Sequence, residues 1–284
     1  MIIKKNNYPN DLKTLQNELK KMLVEFINKC EANNLRYFLF YGTLLGAIRH
    51  NGFIPWDDDI DLLMPREDVE KFVELFKDFY SDNAHLDGYN CPHFDSYAPN
   101  IRINSEKVLL RQDRNNSKSF VPAFLSIWII DGLPSDHRIQ KKHLKKIFRR
   151  YSVLRLARSS VQGTMHVDNR SIKEKVLIAL NNILHIGRII TPRKAACYFN
   201  SLQKKYTWKT SDKCVIGWAP SGKRVFKTKW FKSTKSVIFD GVKCAAPIGY
   251  DELLKMEYGD YLKLPPVEQR VPLHNTEIKI INKK

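Results

Sequence analysis

A short acidic segment inside a basic chain is the feature that most constrains the fold. Asp57, Asp58, Asp59 and Asp61 lie within five positions, although the 48 Lys and Arg of the 284-residue chain exceed its 30 Asp and Glu by 18. Residues 59–64 have the pattern of a β-strand, and successive side chains of a strand point to opposite faces. We therefore expect Asp57, Asp59 and Asp61 on one face, with Asp58 on the other.

Three carboxylates on one face predict a metal site. Like charges repel each other, and a hard divalent cation relieves that repulsion. Two carboxylates together with substrate phosphates are the usual ligands of Mg²⁺, so we expect Asp59 and Asp61 to bind Mg²⁺ or Mn²⁺. The alternative is a polar turn in which the aspartates only cap local structure, and the crowding of three charges argues against it.

The residues before the acidic segment predict a phosphate-binding turn. The aromatic, strand-like run 36–41 stops at Gly42, and Thr43 is a candidate cap for a short helix through Ile48. A glycine lets backbone N–H groups approach a phosphate, and the dipole of the helix adds to the attraction. A glycine-hydroxyl turn followed by Asp-x-Asp is typical of phosphoryl and nucleotidyl transfer.

The remaining pattern predicts an α+β fold, with a mixed-sheet catalytic core and a helical, basic insertion. Apolar residues at helical spacing predict helices over 12–30, 69–80, 144–154, 191–206 and 250–258. Strands are expected at 100–104, 108–111 and 124–130, with a hairpin around Asp240 and Gly241. We assign 1–136 plus 236–284 to the core and 137–235 to the insertion.

The positive charge is concentrated and favours an anionic partner. Nine Lys or Arg and no acid lie between Arg138 and Arg158, together with an apolar stripe that runs from Leu144 to Leu154. Either this stripe enters the headgroup region of an anionic membrane, or it packs on the protein's own core. The chain has no stretch of about 20 apolar residues and no signal core. Its five scattered cysteines form no C-x-x-C pair. We therefore expect a cytoplasmic protein with reduced thiols, either free or peripheral on the inner face of the cell membrane.

The run from Phe40 to Asp61 closely resembles the signature of the LicD family, which includes bacterial phosphocholine transferases and the animal fukutin-related ribitol phosphate transferase. That family is similar to the nucleotidyltransferase superfamily, which implies a nucleotidyltransferase-like core. The superfamily's glycine-hydroxyl turn and Asp-x-Asp strand correspond to Gly42, Thr43, Asp59 and Asp61, and Asp57 also matches a family carboxylate.

Two later segments also resemble this family. Residues 126–134 look like its second apolar strand, which implies that Asp131 is a third catalytic and metal-binding carboxylate. Here Ile129 stands where many members have Pro. The tail from 258 to 266, followed by Arg270 and His274, looks like the family's ending, so His274 either binds substrate or is an ordinary surface histidine.

The resemblance implies transfer of a phosphorylated small alcohol, commonly phosphocholine from CDP-choline, onto a hydroxyl of a cell-surface glycan or teichoic acid precursor, often built on a lipid carrier. The donor stays open, because CDP-glycerol or CDP-ribitol would use the same metal site. Asp131 or Asp57 would take the proton from the acceptor hydroxyl, and CMP would leave.

Further side chains are candidates for substrate contacts. If choline is transferred, its quaternary ammonium should contact aromatic faces, and Tyr41, Trp56 and Trp128 are near the acidic residues in sequence. Arg49 either contacts phosphate or compensates a helix dipole. Arg102 either reaches the nucleotide or forms a salt bridge.

Two other functions compete. A nucleotidyltransferase acting on RNA would suit the charge, but no RNA-binding motif is present, so nucleic acid is not an expected partner. A membrane-binding or nucleic-acid-binding module without catalysis would leave the acidic segment unexplained. Cys91 and His93 suggest zinc, but no second Cys or His follows at finger spacing.

Overall fold

The computed structural model describes residues 8–78, 83–114, 117–162, 176, 189–217, 225–271 and 277–281. The helices of this part are α1 (Tyr8–Ala32), α2 (Tyr41–His50), α3 (Arg66–Phe76), α4 (His137–Gln162), α5 (Pro192–Gln203) and α6 (Tyr250–Tyr258). Its strands are β1 (Phe38–Leu39), β2 (Ile60–Pro65), β3 (Ala84–Asp87), β4 (Ile101–Arg114), β5 (Ser117–Gly132), β6 (Lys213–Ile216), β7 (Val225–Lys227), β8 (Thr234–Phe239), β9 (Val242–Pro247) and β10 (Ile278–Ile280).

A mixed sheet forms the centre of the fold. Its strand order is β1-β2-β5-β4-β10, with β3 paired to β4, β6 paired to β5 and β7 paired to β6. Strands β2 and β5 run parallel, and the other pairs are antiparallel. The two strands predicted near 100–111 are one long strand, β4, whose register with β5 shifts between Asn104 and Leu109. The predicted combination of a mixed sheet with helices is confirmed, and the nucleotidyltransferase-like assignment stays a prediction.

Helix α1 packs its apolar face against the sheet. It contacts β4 and β5, and Phe26 places its ring 5.5 Å from that of Tyr37 and 5.3 Å from that of Phe72. The predicted apolar face is buried at all eight positions, which are Leu12, Leu15, Leu19, Met22, Leu23, Phe26, Ile27 and Cys30. This burial fixes α1 on the sheet, where Gln16 also donates a hydrogen bond of 3.0 Å to the backbone carbonyl of Asp57.

Helices α4 and α5 form a second core with the loop that follows β3. Ile147 and Leu154 of α4 are buried against Phe199 of α5, and Leu144 packs partly buried beside them. Most of the stripe therefore packs on the protein's own core, which is the second of the two alternatives, while Phe148 stays 38% exposed. An electrostatic contact of the exposed α4 lysines with anionic lipid stays a prediction.

The proposed boundaries 1–136, 137–235 and 236–284 stay a prediction, but the sheet crosses one of them. Strands β6 and β7 lie within 137–235 and extend the main sheet through β5. A separate helical unit could thus include α4 and α5 but would end before Lys213. No helix in the described ranges is long and apolar enough to span a membrane.

The C-terminal elements return the chain to α2. Strands β8 and β9 form the predicted hairpin, and Asp240 at its turn donates its backbone N–H to Asn51 at 2.8 Å. Helix α6 has the predicted bounds and is followed by Gly259, whose positive φ of 66° favours glycine. Contacts of α6 with α2 place Tyr258, its last residue, beside the acidic segment.

Candidate active site

The acidic segment leads directly into β2. Asp57, Asp59 and Asp61 are partly exposed, whereas Asp58 is only 1% exposed, so burial follows the predicted alternation. Strand β2 begins at Ile60, and therefore only Asp61 of the four aspartates lies in the strand. Carboxylate oxygens of Asp57, Asp58 and Asp59 lie within 4.8 Å of one another. The segment thus presents several carboxylates at the start of one strand.

The start of α2 is shaped around Asp57. The helix begins at Tyr41, whose φ is 39°, and a Cβ on Gly42 would lie 2.9 Å from Asp57 Oδ2. A side chain at position 42 would therefore push this carboxylate away from the helix start. No side chain caps α2 at Phe40, which corrects the expectation that Thr43 is the cap.

Thr43 instead holds Asp61 in place. Its side chain is 1% exposed, and its Oγ1 accepts a hydrogen bond of 2.9 Å from the backbone N–H of Asp61. Thr43 is buried, and its hydroxyl positions the backbone of Asp61 in this structure. Direct contact of Thr43 or Gly42 with a phosphate stays a prediction.

Replacing Thr43 tests this positioning. We expect Thr43→Val to leave the N–H of Asp61 without its acceptor, at a cost of about 1–3 kcal/mol of stability. We also expect a loss of about 10- to 100-fold in kcat, because small displacements of catalytic groups are costly. Urea unfolding and steady-state kinetics measure both effects, with Thr43→Ser as the control that keeps the hydroxyl. A Val variant with unchanged kcat would show that Asp61 needs no such support.

Aromatic rings surround Asp61. Asp61 pairs with Ser126 of β5, so Trp128 projects from the same face, and its Nε1 donates a 2.7 Å hydrogen bond to Asp61 Oδ1. The ring of Tyr41 lies edge-on to that of Trp128 at 5.7 Å between centroids. A Cβ on Gly217 would lie 2.8 Å from the indole, so the backbone of Gly217 closes against Trp128. These contacts hold the indole that in turn holds Asp61.

Tyr258 completes this group and was not among the predicted site residues. Burial, followed by the carboxylates of Asp61 and Asp57, raises the pKa of Tyr258 above the usual tyrosine range. The residue nevertheless keeps 42% of its surface exposed. Its phenol therefore stays protonated at neutral pH and lies next to two carboxylates. The only sequence signal for it was its place at the start of the tail that resembles the LicD ending.

The structure does not bring Asp131, the predicted third metal-binding and catalytic carboxylate, to this site. It lies five positions after Ser126, about 16 Å along the strand, and an odd spacing puts its side chain on the opposite face. There it is 1% exposed and accepts two hydrogen bonds from Arg66, of 2.8 Å and 2.6 Å. Arg66 also donates to Asn200 at 3.1 Å. Asp131 thus forms a buried structural ion pair.

Arg49 and Trp56 contact the C-terminal part of the chain. Arg49 Nη1 donates a 2.9 Å hydrogen bond to the backbone carbonyl of Tyr261, so it holds the chain that follows α6. The guanidinium of Arg270 lies 5.9 Å from the centre of the Trp56 ring. Both residues are therefore near the site, and each already has a protein partner.

Arg102 lies in the same row across the sheet as Asp61. It pairs with Ser126, which in turn pairs with Asp61, so the three side chains share one face. Its guanidinium stacks 3.7 Å from the centre of the Phe124 ring. Arg102 is thus two strands, or about 10 Å, from Asp61. His274 lies outside the described residues.

The chemistry of the acidic segment fits the expected metal. Its donors are carboxylate oxygens, which Mg²⁺ and Mn²⁺ prefer over nitrogen or sulfur ligands. Asp59 and Asp61 are partly exposed, so both are accessible to an ion and to a phosphate from solvent.

Comparison with known proteins shows the family of this chain. The lipopolysaccharide cholinephosphotransferase LicD of Haemophilus influenzae is 30% identical over 266 residues, which cover 89% of this chain and 91% of that protein. The chain belongs to the LicD family. The domain family described as LicD/FKTN/FKRP, nucleotidyltransferase domain, matches residues 34–122. Membership makes the chain a phosphotransferase.

The matched region coincides with the site. Residues 34–122 include α2, all four clustered aspartates and Arg102, and they end before Asp131. Similarity to the human ribitol 5-phosphate transferase FKRP is 56% identity over 45 residues, or 16% of this chain and 9% of that protein. The mouse FKRP is 40% identical over 80 residues, or 20% of this chain and 16% of that protein. The LicD-family resemblance inferred from the signature is therefore confirmed.

Proposed function

We propose that this LicD-family enzyme transfers a phosphorylated small alcohol, phosphocholine from CDP-choline in the first place, onto a hydroxyl of a cell-surface glycan or teichoic acid precursor. The observation that carries the proposal is the acidic segment, whose Asp61 accepts a hydrogen bond from Trp128 beside the ring of Tyr41. A pyrophosphate donor needs charge compensation, and a choline group needs aromatic surface. The likeness to a lipopolysaccharide cholinephosphotransferase along most of both chains supports the same substrates.

The three carboxylates have different proposed roles, two as metal ligands and one as a base. Asp59 and Asp61 would hold Mg²⁺ or Mn²⁺, which neutralises pyrophosphate oxygens when bound. Asp57 is the candidate base that takes the proton from the acceptor hydroxyl, since Asp131 is remote and paired with Arg66. The acceptor oxygen then forms the new bond to the phosphorus that carries the alcohol. The bond from that phosphorus to CMP breaks, and CMP leaves with the electron pair.

Choline is favoured by the aromatic surroundings of Asp61. A quaternary ammonium gains about 0.5–2 kcal/mol from an aromatic face, and a neutral glycerol or ribitol gains none of this. Tyr41 is partly exposed and lies at the edge of Trp128, next to the acidic segment. Trp56 is a weaker candidate, because Arg270 already lies near its ring.

A pair of Tyr41 variants tests the choline contact. We expect Tyr41→Leu to raise the KM for CDP-choline by about 10-fold, which corresponds to a lost cation–π contact of about 1.4 kcal/mol. Tyr41→Phe keeps the ring and should keep the KM within about 2-fold. The KM for a poor donor such as CDP-glycerol should not respond to either change. Equal effects of Leu on both donors would show that Tyr41 does not recognise the ammonium.

A donor panel tests the function itself. Purified protein is incubated with Mg²⁺ and CDP-choline, CDP-glycerol or CDP-ribitol, and with CTP plus RNA, and the release of CMP or pyrophosphate is measured. The proposal predicts CMP release that is fastest with CDP-choline and is abolished by EDTA. Preference for CDP-ribitol or CDP-glycerol would keep the reaction class and change the alcohol. Pyrophosphate release with CTP and RNA alone would overturn the proposal.

A further inference from the structure

Two histidines and an aspartate meet at β3, three strands away from β2. His85 lies in β3, and His93 and Asp95 lie in the loop that follows, which returns to the strand through a bridge between Asp87 and His93. One donor atom of each of the three side chains lies within 4.8 Å of the others, and the two imidazole rings are 4.8 Å apart. Sequence spacing did not reveal this cluster, because His85 precedes the loop and only the return of the chain brings it to His93.

The carboxylate of Glu106 contacts one ring nitrogen of His85 and so fixes the orientation of the imidazole. His85 Nδ1 lies 2.5 Å from Glu106 Oε1, and a proton on Nδ1 that is donated to this carboxylate leaves the lone pair on Nε2. A metal-bound histidine commonly has such a carboxylate behind it. On the other side, the Asn104 amide is 3.3 Å from Nε2, a long contact that a metal ion can replace.

The other two side chains are free to approach a metal, while their backbone is fixed. The side chains of His93 and Asp95 are 49% and 78% exposed. Asp87 accepts hydrogen bonds from the backbone N–H groups of Asp95 and Ser96, at 3.1 Å and 3.0 Å. The donor atoms need to close by only about 1.5 Å to reach the spacing that metal bonds of about 2.0–2.2 Å impose.

We propose that His85, His93 and Asp95 bind a zinc ion, with water in the fourth position. Two imidazoles and one carboxylate suit the borderline character of Zn²⁺. Cys91, the residue first suspected with His93, is not among the three. A bound ion would tie the loop to β3, and since Phe94 of this loop packs in the second core, zinc would stabilise the contact between the sheet and helices α4 and α5.

Calorimetric titration of the metal-stripped full-length protein with Zn²⁺ tests the proposal. We expect one tight site per chain, a higher melting temperature with zinc, and binding about 100-fold weaker in His93→Ala and in Asp95→Asn. Both replaced side chains are exposed, so the variants should fold. His137→Ala, at another exposed histidine, is the matched control and should bind zinc as the wild type does.

Two further variants separate this site from the acidic segment and from a simple surface histidine. Glu106→Gln should weaken zinc binding by about 10- to 100-fold, as loss of an orienting carboxylate does elsewhere. Asp59→Asn should leave the tight zinc site intact. Wild-type zinc affinity in His93→Ala, or loss of the tight site in Asp59→Asn with retention in His93→Ala, would overturn the proposal.

Discussion

Asp59→Asn and Asp61→Asn are each expected to lower kcat by about 1000-fold, because a metal-stabilised pyrophosphate contributes several kcal/mol to the transition state. Neither change should unfold the protein. Both side chains are partly exposed, and an asparagine oxygen at position 61 can still accept the hydrogen bond from Trp128. Kinetics at saturating Mg²⁺ and urea unfolding of the same preparations measure the two expectations.

The matched control for this pair is Asp212→Asn, which removes the same charge from an exposed position. It should retain wild-type kcat, so that a loss at positions 59 and 61 is not explained by net charge. Wild-type turnover of either site variant would contradict the assignment of the metal site.

Asp131→Asn is expected to act on stability. Removing one partner of a buried, doubly hydrogen-bonded ion pair leaves the charge of Arg66 uncompensated, at a cost of about 3–5 kcal/mol. Chemical denaturation should show this loss, while the folded fraction at low temperature should keep its kcat. A variant that is as stable as the wild type but inactive would return Asp131 to the catalytic residues.

A double-mutant cycle distinguishes the loss of this ion pair from general misfolding of the variants. Arg66→Met combined with Asp131→Leu removes both charges, and the double variant should be more stable than either single variant, because no buried charge is left unpaired. Additive losses in the double variant would show that the two side chains are not coupled.

Local patterns in the sequence were sufficient for the elements near the site. Helical spacing identified every buried apolar residue of α1, and the turn residues Asp240 and Gly241 identified the hairpin. Helix α6 was predicted with its observed bounds because Gly259 ends it. In each case the signal lies within one element and depends on the amphipathic pattern or on the residue that a turn requires.

Long-range pairing accounts for the corrections. Asp131 looked equivalent to the other carboxylates, but the parallel register sets Ser126 beside Asp61 and leaves Asp131 at the far end of β5, on the opposite face. The same dependence on pairing hid the place of β6 in the main sheet. Strand register follows from packing of distant segments, which local propensity does not encode.

Some features of the candidate site could likewise be predicted from the sequence, and others depend on long-range packing. Its carboxylates and the helix start at Tyr41 are close in sequence, so their juxtaposition could be predicted. Trp128 was predicted as an aromatic neighbour, but its hydrogen bond to Asp61 depends on the β2–β5 register. Tyr258 reaches the site only through the packing of α6 on α2.

Location of a bound Mn²⁺ ion by anomalous diffraction, in crystals of the protein soaked with CDP-choline, tests the central claim most directly. The account predicts a manganese peak in contact with the carboxylates of Asp59 and Asp61, next to the pyrophosphate, and no peak at Asp131. A peak at Asp131, or a donor bound without any metal at Asp59 and Asp61, would contradict it.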